Sequence, residues 1–334
     1  MSLYLGLLIA AGILAIALIA MQLGINRSVM QMLEQSPPLH AVENDPAPEA
    51  EPFSFQTADG LTLQGTLYPP TDQAPRGLVL FFHELGGDQW SASSYCEGLL
   101  NAGFAVVTFA FRNHDGSDRL DNYDSLHWLS EHELADIRGF LSYLESRADL
   151  SSLPWTAFGV SRGGGAALIA TALSPRIRGT LCESAYSTLC LMSTFSRRWV
   201  ELFVPRWALR LIPDWHVELS LAGGRRYSEF RRGVRYLHVE RFLSELGNRP
   251  VLLISGQRDS YVTPEIATSL QQSIGDNSEL WLVPDARHNR SRDVNEAAYD
   301  ARLVEFVEPL CCDNEAESVA KVVDRSAIET QRSA

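Results

Sequence analysis

Apolar and polar residues alternate along this chain in three different patterns. Residues 3–23 form an apolar run of mainly Leu, Ile and Ala that contains no charged residue. Residues 26–52 are rich in Pro, Ala and acidic side chains and show no apolar period. From Phe53 to Leu310, short apolar runs alternate with segments whose apolar residues recur at helical spacing. These patterns predict a helix, an extended tether and a folded domain, in that order.

The first apolar run has the length of a membrane-spanning helix, since about 20 residues cross a ~30 Å hydrocarbon core. We therefore expect a transmembrane anchor over residues 1–25. A cleaved signal peptide is the alternative, but such peptides carry a basic start and an apolar core of about 7 to 15 residues. No Lys or Arg precedes this run. Too few basic residues flank it to choose the side of the membrane.

The folded domain, residues 53–310, has the alternation typical of an α/β fold. Two strands are expected to pair antiparallel about a turn at Asp59-Gly60. The segments that follow alternate strand and helix, which predicts a mostly parallel sheet with helices on both faces. The further strands are expected in RGLVLFFHE, FAVVTFAFRN, WTAFGVS, IRGTLCES, RPVLLISG and SELWLVPD. Beyond it, the polar segment 311–334 is expected to be a loose tail.

A Gly-x-Ser-x-Gly motif, Gly159 to Gly163, lies directly between an expected strand and an expected helix. In that context the serine, Ser161, occupies a strained turn that exposes its hydroxyl at the carboxyl edge of the sheet. The glycines are needed because a strand that reverses at once into a helix leaves no room for Cβ atoms. A glycine-rich loop that only lets a helix pack closely on a strand is the structural alternative.

A serine hydroxyl is a weak nucleophile, so it requires a base and an acid that orients the base. Asp259 follows one later strand, and His288 follows the last strand. The order Ser, Asp, His, each at the carboxyl end of a strand, predicts a catalytic triad. Glu183 is a second candidate for the acid, whereas Asp285 is expected to shape the loop before His288.

Acyl transfer also needs hydrogen-bond donors for the oxyanion of the tetrahedral intermediate. The backbone N–H of Arg162, directly after the nucleophile, is one candidate. The backbone N–H of Leu85, in the loop HELGG (83–87), is the second. A Gly-Gly pair after a strand is otherwise simply a turn.

These motifs in this order resemble the α/β-hydrolase superfamily, and within it the branch of serine aminopeptidase S33 and monoacylglycerol lipase. HELGG is similar to the branch's His-Gly-x-Gly-Gly loop, and AFRNHDGSD (110–118) to a loop that contains Arg and His-Gly-x-Ser. Two residues depart from the pattern: Glu84 replaces a glycine near the expected oxyanion hole, and Asp115 interrupts the His-Gly pair.

The resemblance implies a serine hydrolase, in a branch that includes esterases, lipases, thioesterases and peptidases. We expect cleavage of carboxylic esters, including lipid esters, through an acyl-enzyme. An aminopeptidase or amidase is the enzymatic alternative. Because of Glu84, a catalytically silent, membrane-tethered binding protein of the same fold is the other alternative.

The insert at about 186–248 lies where this superfamily has a helical cap. Its first part is a basic amphipathic stretch that contains Arg197, Arg198, Arg206 and Arg210 beside Trp199, Phe203, Trp207, Leu211 and Trp215. Such a stretch is typical of the membrane interface. Packing of the cap on the catalytic domain, with the arginines in water, explains it equally well.

The composition restricts the partners. A formal net charge of −13 disfavours nucleic acid, which requires a basic surface. The 5 cysteines are scattered and form no metal-binding spacing, so we expect neither a disulfide framework nor a metal. No cofactor is expected, because hydroxyl, imidazole and carboxylate suffice for acyl transfer. The oligomeric state is left open.

Overall fold

A central sheet organises the protein, whose computed structural model describes residues 2–35, 44–47, 49–70, 73–114, 116–202, 205, 207 and 211–311. Within these residues, eight strands form one sheet in the order β1-β2-β4-β3-β5-β6-β7-β8. The strands are β1 (Glu51–Gln56), β2 (Thr62–Tyr68), β3 (Leu78–Phe82), β4 (Ala105–Phe109), β5 (Trp155–Val160), β6 (Ile177–Glu183), β7 (Val251–Gly256) and β8 (Ser278–Val283).

The strand pairing confirms the expected sheet, which is mostly parallel with an antiparallel start. Strand β2 pairs antiparallel with both β1 and β4, whereas the remaining neighbours are parallel. Gly60, at φ 88°, makes the turn between β1 and β2. The parallel strands therefore bring their carboxyl ends, and the loops that follow them, to one edge of the sheet.

Helices cover both faces of the sheet. On β3, Leu80 and Phe82 belong to one buried cluster with α3 and α5, whereas Val79 and Phe81 belong to another with α2 and α10. The helices are α1 (Ser2–Leu33), α2 (Ala92–Asn101), α3 (Glu131–Ser146), α4 (Ala148–Ser151), α5 (Arg162–Leu173), α6 (Thr188–Glu201), α7 (Asp214–Arg232), α8 (Pro264–Ile274), α9 (Ser291–Val294) and α10 (Glu296–Cys311).

Between β6 and β7 the chain forms α6, α7 and two short 3-10 helices, Val239–Arg241 and Leu243–Leu246. This is the position at which the helical cap was expected, and "the cap" below means these four helices. In the basic amphipathic stretch, Phe203, Arg206 and Arg210 lie outside the described residues. Trp207, Leu211 and Trp215 are 68%, 74% and 63% exposed, so none of the three packs in the core.

The N-terminal helix is longer than the sequence pattern indicated. It continues to Leu33, so residues 26–33 are helical and the expectation of an extended tether over 26–52 was wrong there. The cause is packing, since Val29, Met30, Met32 and Leu33 are buried. Residues 44–47 carry no regular structure, and β1 begins at Glu51, so residues 51–52 belong to the sheet and not to the expected tether. Of the expected loose tail over 311–334, Cys311 is instead the last residue of α10, and the rest lies outside the described residues.

Helix α1 docks on α7 of the cap. Gly224 lets the two helices approach, because a Cβ at that position would lie 2.5 Å from Val29. At the end of α1, the indole of Trp128 donates to the carbonyl of Leu33 at 2.9 Å. Beyond it, Glu34 accepts a hydrogen bond from Ser228 at 2.7 Å and pairs with Arg231. One continuous helix thus contains the exposed apolar run and, at its C-terminal end, the residues that pack on the cap.

Enlarging Gly224 should separate these helices. For Gly224→Leu we expect the full chain in detergent to lose about 1 to 3 kcal/mol of stability, the usual effect of overpacking. Thermal unfolding measures it. Gly12→Leu is the matched control, since a Cβ at Gly12 meets nothing within 4 Å. Equal melting temperatures for the two variants would contradict tight α1–α7 packing.

Candidate active site

The backbone turn at Ser161 is the strained strand-to-helix turn that the motif predicted. Ser161 has φ 52° and ψ −116°, between the end of β5 and the start of α5. A Cβ on Gly159 would lie 2.0 Å from the carbonyl oxygen of Gly163, and one on Gly163 would lie 2.0 Å from that of Phe82. Both glycines are therefore sterically required, because the clashing atoms belong to the backbone.

The side chain of His288 lies within hydrogen-bond distance of both other predicted side chains, Ser161 and Asp259. Ser161 Oγ is 3.0 Å from Nε2 of His288, and Nδ1 of His288 is 2.7 Å from Oδ2 of Asp259. A carboxylate only accepts, so Nδ1 carries the proton and Nε2 is left to accept from the serine hydroxyl. This arrangement can deprotonate the hydroxyl during nucleophilic attack.

The backbone around Asp259 holds its carboxylate in place. Oδ1 accepts hydrogen bonds from the N–H groups of Tyr261 and Val262, both at 2.8 Å, and the residue is 3% exposed. Two backbone donors leave Oδ2 directed at the imidazole. The orientation of His288 is therefore set by the loop after β7.

The loops after β7 and β8 are packed against each other. A Cβ on Gly256 would lie 2.3 Å from the carbonyl oxygen of Ala286, which accepts from Arg258 N–H at 2.9 Å. Asp285, at φ 64°, pairs with Arg258 at 2.8 Å. Asp285 thus shapes this loop, as expected, and the contact brings Asp259 and His288 together.

Glu183, the other candidate for the orienting acid, has different partners. Its carboxylate oxygens accept from the backbone N–H of Ser291 at 3.0 Å and from the hydroxyl of Tyr299 at 2.6 Å. Burial raises the pKa of this carboxyl. The carbonyl of Glu183 also accepts from the N–H of Ser161 at 2.7 Å. Glu183 therefore supports the turn at Ser161 and the loop after His288.

Internal hydrogen bonds position the loop that contains Leu85. The backbone carbonyl of Glu84 accepts from Nδ1 of His83 at 2.7 Å and from the N–H of Gly87 at 3.1 Å. Nε2 of His83 accepts from the N–H of Phe111 at 3.2 Å. Burial holds the pKa of His83 well below its usual range, so the ring is neutral and both nitrogens are used. Leu85 itself is half-buried in this loop.

The side chain of Arg162, unlike its backbone, was given no role by the motif. Its guanidinium lies 2.6 Å from the carboxylate of Glu133 on α3, and both side chains are fully buried. Burial alone would raise the pKa of Glu133, but Arg162 and hydrogen bonds from Tyr123 and Ser130 hold it below its usual value. The sequence shows Glu133 only as part of the helix cap Ser130-x-x-Glu133, and this pattern does not reveal its ion pair with Arg162.

Glu133→Gln should destabilise the protein by about 3 to 5 kcal/mol, because it leaves the buried guanidinium of Arg162 without a counter-charge. Urea unfolding followed by circular dichroism measures the loss. Glu131→Gln is the matched control, two residues earlier on the same helix, where a partly buried carboxylate accepts from the backbone N–H of Arg235 and faces no buried cation among the described residues. A Glu133 variant as stable as this control would show that the ion pair contributes little.

The carboxyl of Glu84, the residue that departs from the family pattern, points into the protein beside α2. It is 3% exposed, its Oε1 lies 3.4 Å from the hydroxyl of Tyr95, and a Cβ on Gly87 would lie 3.1 Å from its carboxyl group. Burial raises the pKa of Glu84 from 4.5 to about 7. Folding therefore favours the protonated carboxyl near neutral pH.

Glu84 should make the protein less stable as the pH rises. Because its pKa is 4.5 when unfolded and about 7 when folded, its ionisation should cost about 3 kcal/mol between these pH values. A glutamine side chain does not ionise, so Glu84→Gln should gain about 3 kcal/mol in free energy of unfolding relative to wild type between pH 4.5 and pH 8. Urea unfolding across this range tests it, and a constant difference between the two proteins would contradict it.

The comparison with known families now identifies the class of protein. The sequence model of the alpha/beta hydrolase family matches residues 79–305, and the chain belongs to this family. The match does not select a branch within the family. Among the described residues, no group of three or more His, Cys, Asp or Glu side chains is arranged to hold a metal ion.

Two curated proteins from Mycobacterium tuberculosis, which carry the name of a phosphoribosyl transferase (MT0597 and Rv0571c), match part of the chain. Each is 35% identical over 107 residues, which are 31% of this chain and 23% of that protein. The chain thus spans under a quarter of the length of these relatives. Their names therefore carry no activity over to this chain.

Solved structures confirm the expected fold. The esterase Pf2001 of Pyrococcus furiosus superposes with a TM-score of 0.61 at 20% identity, covering 83% of this chain and 100% of that one. The alpha/beta hydrolase GrgF of Penicillium sp. sh18 gives a TM-score of 0.54 at 14% identity, covering 78% and 99%. At such identities the similarity establishes the architecture alone.

Proposed function

We propose that this protein is a membrane-anchored serine hydrolase that cleaves carboxylic esters. The observation that carries the proposal is the continuous hydrogen-bonded series from Ser161 through His288 to Asp259. His288 Nε2 takes the proton of Ser161 as Oγ attacks the ester carbonyl, then returns it to the leaving alcohol. Water, activated by the same nitrogen, releases the acid from the acyl-enzyme.

Two backbone N–H groups stabilise the oxyanion in this proposal, those of Arg162 and Leu85. Arg162 is the first residue of α5, so the positive end of the helix dipole favours charge at the same point. The hydrogen bonds of His83 and Gly87 to Glu84 restrain the loop that presents Leu85. Such preorganised donors act without reorganisation during the reaction.

An ester is the first substrate to test, because the Pyrococcus protein of the same fold is named an esterase. Membrane anchoring is supported by α1, in which Tyr4–Leu33 is long and apolar enough to cross a bilayer and contains an 18-residue stretch with a mean hydropathy of 2.5. A cleaved signal peptide accounts less well for α1, since its last turns are packed into the cap.

Labelling with a fluorophosphonate probe tests the nucleophile. We expect wild type to be labelled and Ser161→Ala to be unlabelled, because the probe phosphonylates only an activated serine. Ser187→Ala is a matched control, as Ser187 is buried but caps α6 and donates to Glu240 instead of contacting His288. Equal labelling of wild type and Ser161→Ala would refute nucleophilic catalysis at Ser161. A panel of esters and aminoacyl amides then separates an esterase from an amidase.

The acid is tested by comparing two isosteric substitutions. Asp259→Asn should lower turnover of a p-nitrophenyl ester by about 10⁴-fold, as loss of the orienting carboxylate does in serine proteases. Glu183→Gln should remain active, because Glu183 is hydrogen-bonded to Ser291 and Tyr299. The opposite ranking would assign the orienting role to Glu183.

A further inference from the structure

A cavity of about 850 Å³ lies between α1 and the cap helices α6 and α7. This volume is within the ~300 to 1,000 Å³ typical of small-molecule sites. The cavity lies apart from the candidate triad, none of whose residues lines it. Its apolar walls come from both the N-terminal helix and the cap, and include Met21, Ile25, Val29, Trp199, Val217 and Leu221.

Several of the polar side chains that line this cavity are bonded within the protein, and Ser28, Glu201 and His216 line it as well. Ser196 donates to the carbonyl of Met192 at 2.9 Å, and Ser220 accepts from Gln22 at 3.1 Å. At the edge, Arg197 pairs with Asp214 at 2.7 Å. The interior therefore offers mainly apolar contact, which suits a hydrocarbon chain better than a peptide with backbone groups to satisfy.

The position of the cavity along α1 indicates the source of such a chain. It begins at Met21, close to the end of the uncharged apolar run at Leu23. Helix α1 is about 48 Å long at 1.5 Å per residue, longer than a ~30 Å hydrocarbon core. The cavity is thus at the boundary of the expected bilayer. On α7, which lines the cavity, Trp215 and Leu219 are 63% and 52% exposed.

We infer that this cavity binds one hydrocarbon chain of a bilayer lipid, which enters it from the membrane alongside α1. The inference rests on the anchoring part of the proposed function and not on the chemistry at Ser161. Helix α6 separates the cavity from the candidate site: its Phe195 ring lies 4.9 Å from the ring of Tyr261, which lies 5.1 Å from that of His288. An occupied cavity would therefore brace the helix that borders the candidate active site.

Gly24 provides a way to fill the cavity. It lines the cavity, and a Cβ at that position would meet nothing within 4 Å, so Gly24→Phe should place a ring in the space without a backbone clash. Gly12→Phe is the matched control on the same helix, because a Cβ at Gly12 also meets nothing within 4 Å. Both variants are made in the full chain with Ser161→Ala, so that turnover plays no part.

The test is photolabelling in phosphatidylcholine vesicles that contain a phosphatidylcholine with a diazirine on one acyl chain. Peptide mapping should find label on α6 and α7 at the cavity, and Gly24→Phe should reduce it about tenfold. This factor corresponds to about 1.4 kcal/mol, less than the burial of two methylenes. Gly12→Phe should leave it unchanged. Label on the exposed Leu14 and Leu18 of α1 should be equal in all proteins, and it shows that α1 is inserted into the vesicle bilayer.

Cavity label that is absent from the inserted Ser161→Ala protein, or equal in both variants, would overturn the inference while leaving the proposed hydrolase intact. Absence of label at Leu14 and Leu18 would overturn anchoring and, with it, the inference. A competition experiment on the Ser161→Ala protein, which has no substitution in α1, tests the inference even if Gly24→Phe misfolds. Excess unlabelled oleate should compete for label at the cavity but not for label at Leu14, and label that does not saturate there would also overturn the inference.

Discussion

The positive φ of Ser161 is the constraint on which the rest of the site depends. A non-glycine residue in that conformation costs about 1 to 3 kcal/mol and persists only where neighbouring structure enforces it. Here the enforcement comes from backbone contacts of Gly159 and Gly163 and from the hydrogen bond of the Ser161 N–H to the carbonyl of Glu183. The centre of a parallel sheet is rigid enough to hold this strain, so the hydroxyl is presented at its carboxyl edge.

Buried polar groups then connect this turn to the elements around it. Arg162 joins the start of α5 to α3 through Glu133, and Glu183 joins the end of β6 to Ser291 and Tyr299. Each group would be costly to bury alone, and each has a specific partner. Such pairs make the geometry of the candidate site depend on correct packing of helices that contribute no reacting atom.

The same dependence extends to the N-terminal helix α1. Because α1 is one helix from its apolar run to Leu33, and its last turns pack on α7, the cap cannot rotate freely about α1. A flexible tether would have left the orientation of the domain unspecified. The packed helix instead connects the cap, the apolar cavity and the candidate site through direct side-chain contacts.

The sequence by itself determined the alternation of strands and helices, the turn at Ser161 and the order Ser161, Asp259, His288 at strand ends. These features follow from local periodicity, local sterics and chain order. Only the tertiary structure decided that Asp259 rather than Glu183 lies beside His288, that Glu84 points towards Tyr95, and that α1 extends past the apolar run. Each of these depends on which distant segments become neighbours, and α1 is helical to Leu33 because α7 buries its apolar residues there.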